Sequence, residues 1–99
     1  MKKPFLVKIY EWDCLNGDVL HREHYIVYAK DKYELREKCE KLLEGYLGNA
    51  EEGWEEVVET DHSSVFTKDE SEIEVGYEVV MEIKDLDFVR RNWTIIDEI

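Results

Sequence analysis

The stretch Glu72-Ile-Glu-Val-Gly-Tyr-Glu-Val-Val-Met-Glu-Ile-Lys84 alternates apolar and acidic residues almost without a break. In an extended chain Ile73, Val75, Tyr77, Val79, Met81 and Ile83 point one way, and Glu72, Glu74, Glu78 and Glu82 the other. A period of two is the mark of a strand with one buried face. The pattern predicts a long strand over Glu72–Lys84. Carboxylates two residues apart on such a strand stand about 6.5–7 Å apart, so the four glutamates are expected to form an acidic ladder.

Working back from this strand, Trp54–Asp61 and Val65–Lys68 read as two further arms around a polar turn at His62-Ser-Ser64. Glu55 and Glu59 alternate around Val57, which would extend the ladder into a two-dimensional array. Gly48–Gly53 reads as a loop carrying Glu51 and Glu52. Before it, Asp31 opens a helix: its carboxylate suits the first free amides, and Glu34 completes a capping-box pattern. Leu35, Cys39, Leu42 and Tyr46 give that helix one apolar stripe, and it is expected to stop near Gly45 or Gly48-Asn49. At the start of the chain, Pro4–Trp12 is a strand with two apolar faces. Asn16-Gly17 suits a type I′ hairpin turn, and Val19–Ala29 is the return strand. The tail, Asp85–Ile99, fits a short helix or a last strand. Together these elements predict one α+β domain over residues 1–99. It would have a mostly antiparallel sheet of four to five strands in two hairpins, one main helix on one face, and a C-terminal short helix or strand.

Charge is unevenly spread. Leu42–Asp87 holds 15 acids and two bases, Lys68 and Lys84, a net of −13, whereas Met1–Lys41 holds eight acids and nine bases. The chain as a whole carries −12. That balance opposes binding to phosphate backbones and anionic membranes and suits a cationic partner. The apolar share is 43% and 12% of residues are aromatic, so a folded core is expected despite the charge. Cys14 and Cys39 read as reduced thiols of a cytoplasmic protein.

No pattern of catalysis stands out. His21 and His24 fall on opposite sides of a strand and cannot share a metal. Asp61-His62-Ser63 holds the residue types of a triad, but neighbours in a turn do not converge in space. Asp13, Asn16 and Asp18 fit turn chemistry better than a calcium loop. The chain is therefore read as a non-enzyme that needs no cofactor and no metal. Trp12 and Trp54, each at a strand end, are the aromatics best placed for an interface.

In length, in its acidic Glu51–Glu59 and Glu72–Glu82 segments and in its lack of catalytic motifs, the chain resembles the small acidic anti-defence proteins of phages and other mobile elements. These include nucleic-acid mimics among anti-CRISPR and anti-restriction inhibitors. The resemblance implies a protein that occupies and blocks the cationic nucleic-acid groove of a larger, basic partner in the cytoplasm of the host cell. The residues expected to make that contact are Glu51, Glu52, Glu55, Glu56, Glu59, Asp61, Glu72, Glu74, Glu78 and Glu82. The alternative is an interaction or oligomerisation module that docks through the helix, an edge strand or the Trp93 tail, its acids serving only solubility.

Overall fold

The computed structural model describes residues 1–47, 54–60 and 62–99. Its elements in chain order are β1 (Lys3–Asp13), β2 (Asp18–Ala29), α1 (Lys32–Leu47), β3 (Glu55–Glu59), β4 (Ser63–Lys68), β5 (Ser71–Glu82), α2 (Leu86–Asn92) and β6 (Ile95–Glu98). The six strands form one sheet in the order β3-β4-β5-β1-β2-β6. All neighbours are antiparallel except β6, which runs parallel to β2. The α+β class therefore holds. The sheet has six strands rather than four or five, and the tail contains both a helix and a strand.

The two apolar faces of β1 follow from its central position, because each face needs its own cover. On one face Val7 and Ile9 pack with Tyr25, Val27 and Ala29 of β2 and with Leu35 and Cys39 of α1. On the other, Leu6 and Ile26 pack with Ile83 and with Val89 of α2. Helix α1 is capped as expected: Asp31 Oδ1 accepts from the Glu34 amide at 2.8 Å, and Glu34 Oε1 accepts from the Lys30 amide at 3.0 Å. It runs past Gly45 to Leu47, since a single glycine inside a helix costs only about 1 kcal/mol. Helix α2 is capped by Asp85, whose side chain accepts from the Phe88 amide at 3.1 Å. Strand β6 is tied down by backbone bonds between Ile99 and both Tyr28 and Ile26, and by Arg90, which donates to Glu98 at 2.7 and 2.9 Å.

Two local expectations change. The β1–β2 turn is a four-residue loop, Cys14–Gly17, built on Asp13, whose carboxylate accepts from the amides of Leu15 and Asn16. Only Gly17 has positive φ, +74°, whereas a type I′ turn needs it at both central residues. Ser63 and Ser64 belong to β4, not to a turn, and both are buried. Among the described residues no helix is long and apolar enough to cross a membrane.

Candidate functional site: an acidic sheet end and an aromatic cleft

Side chains of directly paired residues share a face of the sheet, so the strand registers place the described glutamates of β3 and β5. Lys8, Tyr10 and Trp12 of β1 pair with Glu78, Gly76 and Glu74 of β5. Glu72 pairs with Thr67, which pairs in turn with Glu55. Glu55, Glu72, Glu74 and Glu78 thus share the face that carries α2, on the part of it that α2 leaves uncovered.

The expected ladder breaks after Glu78. Val79 pairs with Val7 but Met81 with Leu6, so Val80 is the extra residue of a β-bulge. The extra residue inverts the alternation. Met81 and Ile83 therefore join the core beneath α2, while Glu82 turns to the α1 face beside Phe5. There it meets Lys3 at 3.5 Å and Lys84 at 2.8 Å, and the Lys84 hydrogen bond holds its carboxyl below the usual carboxylate range. A second register shift lies between Glu56 and Val58. It sends Glu59 to the α1 face, where Glu56 already points, opposite Glu55, against the expectation that Glu55 and Glu59 point the same way. Glu51, Glu52 and Asp61 lie outside the described residues. The described acids therefore do not form one array. They wrap both faces of the β3–β4–β5 end, where Glu40 and Glu44 of α1 and Glu59 also line a shared groove.

The uncovered part of the α2 face contains a cleft of about 400 Å³, lined by Lys8, Tyr10, Trp12, Arg22, Glu74 and Glu78 among others. Gly76 shapes its floor. A Cβ there would stand 2.5 Å from the Tyr10 hydroxyl and 2.7 Å from Ser63 Cβ, so only glycine lets the ring lie down against β5. The Tyr10 hydroxyl hydrogen-bonds Ser63, and Ser63 Oγ donates to Glu74 Oε2 at 3.1 Å. Burial, and then the Glu74 charge, push the Tyr10 phenol above its ordinary pKa. Lys8 Nζ meets Glu78 at 2.7 Å and sits 5.8 Å from the centre of the Tyr10 ring, within cation–π range. On the β2 side, His24 is held below the ordinary histidine range by burial, then by Arg22 and Lys8.

Of the two aromatics singled out in the sequence, Trp12 lines this cleft and Trp54 precedes β3. Tyr10, Lys8 and Arg22 line the cleft too, without a motif that marks them in the sequence. Their signal was the register that an antiparallel hairpin imposes, with Gly76 opposite an aromatic. His62 also lines the cleft, and Asp61 beside it lies outside the described residues. Among the described residues no group of three or more His, Cys, Asp or Glu is arranged to hold a metal. Comparison with protein-family models, with curated proteins and with solved structures gives no match.

Proposed function

We propose that this protein is a non-enzymatic binding module whose acidic β3–β4–β5 end occupies a cationic, nucleic-acid-binding cleft on a larger protein and blocks it by competition. The observation that carries the reading is the charge of that end. From Glu55 to Glu78 the chain has nine acids and one base, Lys68, and the described acids emerge on both faces of the same edge. Like charges held this close destabilise a sheet, so the arrangement favours a use in which cations neutralise them. Because the carboxylates wrap an edge rather than line one face, the shape suited to this end is a wedge. A cleft lined with Lys and Arg for phosphates would take it.

The test uses the full chain as bait in a lysate, against the variant E55K/E74K/E78K. Basic nucleic-acid-binding proteins should be retained by the parent, lost by the variant, and released by heparin or duplex DNA and by a modest rise in salt. Equal retention by both baits, or retention indifferent to heparin and salt, overturns the reading.

One observation favours the second reading, docking through apolar surface. At the β1–β2 hairpin, Leu15, Val19 and Leu20 are each about half exposed. L15S/L20S should leave salt-sensitive capture intact if the acidic end is the contact and abolish it if the hairpin is. In the tail, Trp93 packs partly buried against the core beneath α2, while Phe88 and Ile96 are each about half exposed.

A further inference from the structure

Two carboxylates of β5, Glu78 and Glu74, stand opposite β1 in the cleft, and among the described residues only Glu78 meets a cation. Lys8 spans Glu78 and the Tyr10 ring. Beyond the Tyr10–Gly76 pair, Trp12 stands opposite Glu74, an aromatic side chain paired directly with a carboxylate. Among the described residues no cation pairs with Glu74. Its carboxylate is held by Ser63, a residue 3% exposed, so it is fixed in place without being neutralised. Arg22 closes the β2 side of the same cleft and repels a cation there, which leaves the β5 side as the place for one.

We propose that the Trp12–Glu74 pair receives an arginine side chain of the partner. This deepens the reading given under the proposed function and rests on it. A guanidinium is flat enough to stack on the indole and forked enough to take the carboxylate with two bonds. A single buried arginine of this kind is a common energetic centre of an interface. The acids of the α1 face, Glu56 and Glu59, then contribute attraction at a distance rather than a seat.

The test titrates nona-arginine peptide into the full chain and into W12L, E74Q and E56Q/E59Q at low salt. Thermal unfolding checks each variant, and the indole N–H signal of Trp12 is followed by NMR in the parent protein. The expected result is a shift of the Trp12 indole on peptide addition. W12L and E74Q should each weaken binding about tenfold, the scale of one desolvated cation–π or ion-pair contact. E56Q/E59Q should weaken it less than about threefold. Should the peptide bind with the indole signal unmoved, or with E74Q no weaker than E56Q/E59Q, the arginine seat is refuted while the acidic-end reading stands. A parent protein that does not bind the peptide at all refutes both. W12L is the variant most exposed to misfolding, and the indole signal together with E74Q decides the matter without it.

Discussion

Replacing Gly76 by alanine tests the geometry on which the cleft depends. The new methyl carbon would sit 2.5 Å from the Tyr10 hydroxyl oxygen, 2.7 Å from its ring carbon Cζ and 2.7 Å from Ser63 Cβ. The tyrosine can swing away. Ser63 Cβ cannot move without its backbone, which is paired directly with Gly76. Overpacking of this kind costs about 1–3 kcal/mol. Removing a glycine from the unfolded chain returns roughly 0.4–1 kcal/mol. The net expectation is a loss of about 1–2 kcal/mol, or a fall in Tm of roughly 4–16 °C for a domain of this size. Gly45 is the internal control: it lies inside α1 with nothing within 4 Å of its Cβ position, so G45A should stabilise by about 0.5–1 kcal/mol. Urea unfolding of both variants, with G76A repeated in a Y10A background, separates the ring from Ser63. The cost of G76A should shrink when Tyr10 is absent. A cost unchanged by Y10A assigns it to Ser63, and a G76A protein as stable as its parent refutes the close approach of Tyr10 and Ser63 to Gly76.

Leu35 is buried among Val7, Val27 and Cys39, so L35D places a carboxylate in the core and should abolish the cooperative unfolding transition seen by circular dichroism. The Glu98 carboxyl is held below the usual range by its hydrogen bonds from Arg90 and then Tyr28. A depressed pKa in the folded state adds stability that is present above the ordinary carboxylate value, about 4.3, and lost as pH falls through the folded value. The Tm difference between parent and E98Q should therefore narrow from neutral pH to about pH 3, and a constant difference would count against the Arg90–Glu98–Tyr28 network. Burial pushes the Cys39 thiol up to about 12, and burial followed by Glu72 raises Cys14. Iodoacetamide at neutral pH should leave native Cys39 unmodified and alkylate it on unfolding, as read by mass spectrometry.

The elements legible in the sequence were those with a strong period or a cap. The 3.6-residue stripe of α1 and its Asp31 cap, and the two-residue alternation of β5, each specify their element locally. The apolar character of both faces of β1 announced a covered central strand, and α2 supplies the second cover. What escaped is the set of single-residue shifts. Three register irregularities lie at or beside a pair of adjacent apolar residues: Val19-Leu20, Val57-Val58 and Val79-Val80. Two apolar neighbours in an alternating strand are the one local trace a bulge leaves, and the same pattern also suits a strand buried on both faces. The acids were read correctly as concentrated in sequence. Their division between two faces depends on those shifts, and no count of charges reveals it.

Deleting Val80 distinguishes the observed register from a regular one. In a regular strand, removing one residue turns every later side chain to the opposite face. Here Val79 already sits on the α1 face and Met81 on the α2 face, with Val80 between them as the surplus residue. Deleting Val80 therefore restores plain alternation and leaves Tyr77 and Val79 on the α1 side, and Met81 and Ile83 beneath α2. The deletion should fold with a loss of only about 1–2 kcal/mol. Deleting Tyr77 instead shifts Glu78 into the position facing Ile9 and brings a carboxylate to the core, and that protein should not fold. The comparison needs only urea titrations and a proton NMR spectrum of each deletion. If deletion of Val80 is as disruptive as deletion of Tyr77, β5 is a regular strand. Glu82 then returns to the face of Glu72, Glu74 and Glu78, and a single acidic ladder replaces the wedge.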